Sequence, residues 1–130
     1  MPITITPDYE TDILRIRSDG FASRRDIAIA TERAVETGDQ LHHRAVLIDA
    51  RAAEVRTEDT AWAETIEDIL AASRPDAPIA YLPPPDWPTS RADIARERAA
   101  EIGIRFEIFD EPGAALDWLR PLMPPRKPPG

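Results

Sequence analysis

The run Arg44-Ala45-Val46-Leu47-Ile48-Asp49-Ala50 constrains the fold more than any other stretch of this chain. Its apolar core is too compact for a helix and lies between two stretches with helical spacing, so it reads as a strand buried on both faces and ending in a carboxylate. A strand of that kind belongs in the middle of a sheet.

The segments around it supply the rest of the sheet and its cover. Ile3-Thr4-Ile5-Thr6 and Leu14-Arg15-Ile16-Arg17 alternate apolar and polar about the turn chemistry of Pro7 to Asp12, which predicts a β-hairpin. The charged outer face of the hairpin suits a sheet edge. Asp19-Gly20 breaks the second strand, and Ser23 stands three residues before Asp26, close to capping-box spacing. A helix with Ile27, Ala30, Ala34 and Val35 inward follows, and Gly38 supplies a left-handed residue to end it. His42 and His43, the only histidines, precede the central strand and read as a surface pair.

After Asp49 the residues from Arg51 to Arg56 read as a loop. A second helix then starts at Thr57-Glu58-Asp59, with Trp62, Ile66, Ile69 and Leu70 as its apolar stripe. Pro78-Ile79-Ala80-Tyr81-Leu82 is another buried strand, stiffened at its exit by Pro83-Pro84-Pro85. Thr89 or Ser90 caps a third helix that turns Ile94, Ala95, Ala99 and Ile102 inward and Arg91 outward, and Gly103 ends it. Arg105 to Asp110 alternates as a half-buried edge strand, and the acid before Pro112 opens a last helix with Leu116 and Leu119 inward. The order β-β-α-β-α-β-α-β-α with short links predicts an α/β fold: a five-stranded, mainly parallel sheet with an N-terminal antiparallel hairpin. Residues 1–120 form the single domain, and 121–130 are a proline-rich disordered tail.

Composition excludes several classes of function. A net charge of −8 in 130 residues argues against tracking nucleic-acid phosphates. The absence of cysteine excludes thiolate catalysis, thiolate zinc sites and disulfides, and fits the cytoplasm. No run approaches the ~20 apolar residues of a membrane span. Two adjacent histidines on a strand point to opposite faces and make no metal site. No Gly-x-Ser-x-Gly elbow, Gly-x-Gly-x-x-Gly fingerprint or phosphate loop is present, so no catalytic residue, cofactor or metal is assigned.

Laid out in this order, the chain resembles the small STAS-like, or SpoIIAA-like, proteins. The residues that carry the resemblance are Ala45 to Ala50, Ile79-Ala80-Tyr81-Leu82, Phe106-Glu107-Ile108-Phe109 and Ala115-Leu116-Asp117-Trp118-Leu119. The resemblance implies sequential strand order with helices mostly on one face of the sheet. In the anti-sigma-factor antagonists of that superfamily a serine or threonine at the start of the helix after the central strand accepts a phosphate. The matching position here is Thr57, within Arg56-Thr57-Glu58-Asp59 where the family reads Asp-Ser-Ser-Gly. Read from the residues alone, Thr57 is a plain helix cap beside two acids that would repel a phosphate.

Three further residues are candidate ligand or partner contacts. Asp49 stands at a strand's carboxyl end, where open α/β sheets place ligands, or else holds its loop by accepting bonds from the amides around Ala52 and Ala53. Arg51 follows it, and Trp87 sits in a stiff proline-rich loop at the same end. The expectation is a non-enzymatic cytoplasmic module that binds a protein partner, a second copy of itself included. The alternative is a small-ligand binder, for an apolar or lipid-like molecule at the carboxyl ends of the central strands.

Overall fold

The computed structural model describes residues 3–54, 67–74, 76–85 and 89–125. Strands β1 (Ile3–Asp8), β2 (Ile13–Gly20), β3 (Ala45–Ala53), β4 (Ile79–Leu82) and β5 (Phe106–Ile108) form one sheet in the order β1-β2-β3-β4-β5. The β1–β2 pair is antiparallel and every other pairing is parallel, as the alternation of elements predicted. The hairpin turn is held by Asp8, whose Oδ1 accepts from the amides of Glu10 and Thr11. The backbone then passes through Asp12 at φ 60°.

Helix α1 (Arg24–Leu41) begins with a true capping box. The Asp26 amide donates to Ser23 Oγ at 3.1 Å, and the Ser23 amide donates back to Asp26 Oδ2 at 2.9 Å. Gly38, expected to end the helix, lies inside it; the left-handed residue is His42 at φ 53°, four positions on. Gly38 is reserved for packing instead, because the buried imidazole of His43 occupies the space a Cβ at position 38 would need. His43 is therefore no surface residue, whereas His42 is exposed.

Residues 67–72 are helical (α2) and precede β4, while α3 (Thr89–Ile102) and α4 (Pro112–Leu119) flank β5. Gly103, at φ 88°, closes α3, with its amide and that of Ile104 both donating to the Ala99 carbonyl. One core layer gathers Leu14, Ala34, Val46, Leu70, Ile79, Ala95, Ala99 and Phe106, which places α1, α2 and α3 on the same side of the sheet. The opposite side holds Ile13, Ala45, Leu47, Ala80 and Leu82 against Ala115 and Leu119 of α4. The helices are thus mostly on one face, and α4 covers part of the other.

Three local expectations are corrected. The inward stripe of α3 runs through Arg91, Ala95 and Ala99, all at most 3 % exposed, while Ile102 is 45 % exposed. Strand β3 continues through Ala53, because Asp19 and Gly20 pair with Ala52 and Ala53 after a register shift between Arg17 and Asp19; the segment after Asp49 is strand before it is loop. The first residues of the expected tail are held in place: Arg120–Leu122 form a 3-10 turn, and Arg44 donates to the Pro124 carbonyl at 3.1 Å. The same guanidinium bonds Asp12 at 3.1 Å and the Thr11 carbonyl at 3.4 Å, so one arginine ties the hairpin turn to the C-terminal segment. Residues 126–130 lie outside the described residues.

Candidate functional site

Residues two apart on a strand share a face, and β3 uses this to bring Asp49 and Arg51 together. Asp49 Oδ1 accepts from Arg51 Nε at 3.0 Å and from the Arg51 amide at 3.1 Å, and Oδ2 accepts from Nη2 at 2.9 Å. This planar fork is the strongest geometry an arginine and a carboxylate can adopt. The Arg51 hydrogen bond holds the Asp49 carboxyl below its ordinary range, against the opposing effect of partial burial. Arg17 pairs with Asp49 across the β2–β3 ladder and adds to the same lowering. Glu111, at the N-cap of α4, acts in turn on Arg51.

Charges of alternating sign therefore cross this end of the sheet in the order Arg17, Asp49, Arg51, Glu111. They continue toward the hairpin through an Arg17–Asp19 pair at 3.1 Å and an Arg15–Asp8 pair at 3.7 Å. Arg15, Arg17 and Asp49 project from the same side as Ile13 and Leu47, the side on which α4 packs. Helix α4 packs against β3 and β4, so the β1–β2 half of that side presents Thr4, Thr6, Arg15 and Arg17 outward. A carboxylate locked into an arginine fork stays ionised and has given its acceptor capacity to that partner. Such a group positions and recognises, and is poorly placed to shuttle protons.

On the other face, at the carboxyl end of β4, Arg91 and Tyr81 make a second polar feature. Tyr81 packs on Phe106 with ring centroids 6.2 Å apart, and its burial pushes the phenol up to about 12, partly offset by the nearby Arg91. Arg91 is 3 % exposed. Hydrophobicity alone sends Arg91 outward, but the four-residue spacing of Arg91, Ala95 and Ala99 was a usable signal that it shares their stripe.

Of the sequence candidates, the structure joins Asp49 and Arg51 directly, and the amide that Asp49 accepts from is Arg51's own, where those around Ala52 and Ala53 were expected. Thr57 and Trp87 lie outside the described residues. Among the described residues, no three histidine or acidic side chains are grouped to hold a metal, and no helix is long and apolar enough to cross a membrane.

This arrangement of sheet and helices is a SpoIIAA-like fold. A solved structure from Shewanella loihica PV-4, an uncharacterized protein from the DUF3478 family with a SpoIIAA-like fold, superposes with a TM-score of 0.59. The two share 18 % identity over 90 % of this chain and 93 % of that one, so the likeness is one of fold. No protein-family model and no curated protein matches the chain.

Proposed function

We propose that the protein is a non-enzymatic, cytoplasmic interaction module of regulatory type, whose contact surface is the polar half-sheet of β1 and β2 together with the Asp49–Arg51 fork. The observation that carries this reading is the uneven cover of the sheet: α4 shields β3 and β4, while Arg15 and Arg17 of β2 stay on an open face beside the fork. A flat surface of fixed, alternating charges suits recognition of another protein, since charge complementarity sets register and suppresses wrong partners. The SpoIIAA-like fold supports this reading by analogy alone, and the site carries it. Trp87, from the proline-rich stretch of sequence between β4 and α3, is assigned to the same proposed contact. Thr57 is the proposed position of regulation, through a phosphate that would add negative charge beside Glu58 and Asp59 in the sequence.

The test is affinity capture with the wild-type chain, an Arg17→Glu/Arg51→Glu variant, and a control reversal on α1, Glu32→Lys. A specific protein retained by wild type and control but lost from the double variant, with circular dichroism unchanged, supports the reading. A chain that captures no protein yet gains thermal stability from an apolar small molecule overturns it in favour of ligand binding. Mass spectrometry of protein from its native cell reads Thr57 directly, and phosphate absent under every growth condition removes that part of the proposal.

A further inference from the structure

The free edge of β1 carries a second surface, distinct from the sheet face that bears the Asp49–Arg51 fork. Strand β1 is the terminal strand, bonded to β2 on one side only. Pro7, paired opposite Leu14, has no N–H to donate, so it fits this ladder where its nitrogen faces away from β2. Ile3 and Ile5, an even number of positions earlier, turn their N–H and C=O groups the same way. The outer edge of β1 therefore offers two donors and two acceptors and then ends at a proline. Helix α1 packs over β1 on one face, and between them runs a groove of about 370 Å³ lined by Ile3, Ile5 and Ala30, with Arg33 and Glu36 among its walls.

Arg33 and Glu36 distinguish this groove from an ordinary solvated edge. Among the described residues Arg15, Arg17, Arg44, Arg51, Arg74, Arg96, Arg98 and Arg120 all sit in ion pairs. Arg33 and Glu36 are both exposed, and among the described residues neither has an ion pair or hydrogen bond. They are one charge of each sign on the same helix, beside half-buried isoleucines and a row of open backbone groups.

We propose that this edge is closed by a second copy of the chain, paired antiparallel through β1 about a two-fold axis at Thr4. That axis sets Ile3 opposite the partner's Ile5 and Ile5 opposite the partner's Ile3, which are the residues whose backbone groups face outward. Four inter-chain hydrogen bonds form, and the two sheets become one of ten strands. The isoleucine side chains of both copies lie on the α1 side, filling the groove. The two α1 helices then run antiparallel across the axis, so Arg33 approaches the partner's Glu36 and Glu36 the partner's Arg33. A single patch satisfies itself, as a two-fold interface requires. The proline after Thr6 stops the pairing from extending and fixes its register.

The experiment is light-scattering mass across the micromolar range, on the full chain. Wild type is expected at twice the 14.5 kDa of one chain. Glu36→Arg places four arginines at the junction and should raise the dimer dissociation constant at least about tenfold, or roughly 1.4 kcal/mol. The swapped Arg33→Glu/Glu36→Arg chain should restore the dimer, an outcome that misfolding cannot mimic. Ile3→Pro removes one outward donor and leaves the β2 ladder intact, and should also give monomer. A wild-type chain at the mass of one copy throughout the range overturns the proposal, as does a dimer indifferent to both Glu36→Arg and Ile3→Pro.

Discussion

Gly38 lies directly beneath the imidazole of His43, closely enough that a methyl group at position 38 would overlap the ring, with His43 Cγ 3.2 Å from where that methyl would stand. His43 is buried, and among the described residues its Nδ1 has no hydrogen-bond partner. The chain leaves α1 just beyond this point, with the His42 and His43 amides both donating to the Gly38 carbonyl. A side-chain contact thus sets where the helix may hold a glycine, and the helix end falls to a histidine.

Alanine normally stabilises a helix interior by about 1 kcal/mol relative to glycine. Gly38→Ala is expected to do the reverse, because overpacking a closed site costs about 1–3 kcal/mol. Urea unfolding should show a lower midpoint at constant slope. In a His43→Ala background the same change should become neutral or stabilising, and the double-mutant cycle would then give a coupling well beyond measurement error.

The phase of α3 makes a paired prediction. Ala95→Leu should cost about 1–3 kcal/mol, since Ala95 is fully buried beneath the helix. Ile102→Lys should change stability by less than about 0.5 kcal/mol, because Ile102 is largely in solvent. Equal losses at the two positions would refute the stripe through Arg91, Ala95 and Ala99.

Arg44 holds three acceptors at once, on the turn at Thr11 and Asp12 and on Pro124. Arg44→Met keeps the aliphatic stem and should lose about 2 kcal/mol, in line with hydrogen bonds to a charged group. Limited proteolysis should at the same time cut faster near residues 123–125, since their tether is gone, while cleavage in α1 stays slow.

Two groups give stability opposite dependences on pH. Asp49 has a folded value held below 3.8, so its contribution is complete above that value and is lost as pH falls through the lowered one. Asp49→Asn should therefore be less stable at neutral pH and show a shallower acid decline. Tyr81 has a folded value near 12 against an ordinary 10.0, so its contribution is complete below 10.0 and is lost as pH rises toward 12. Tyr81→Phe should flatten the alkaline decline, and in a Tyr9→Phe background the phenolate absorbance should rise near 12.

Local chemistry was readable from the residues wherever a single segment decides the outcome. The Ser23–Asp26 box, the Ile-Thr alternation of β1 and the apolar run from Ala45 to Ile48 are each set by spacing within a few positions. The misplaced details depend on how one segment packs against another, which spacing inside a segment does not display. The end of α1 shifts because His43 claims the space above Gly38, and β3 lengthens because Asp19 and Gly20 reach Ala52 and Ala53 across a bulge. Hydropathy puts Arg91 outside because its charge outweighs its long stem, yet Arg91 is buried at the start of α3 while Ile102 at its end is in solvent. The Asp49–Arg51 fork could have been foreseen from the two-residue period of a strand, had the strand been carried past Asp49.

The strands stand side by side in the order in which the ribosome releases them. No early strand has to keep a gap open for a later one, so each segment can dock onto a rim already in place as synthesis proceeds. That order lets the nascent sheet grow in one direction, with β5 as the last strand to be added.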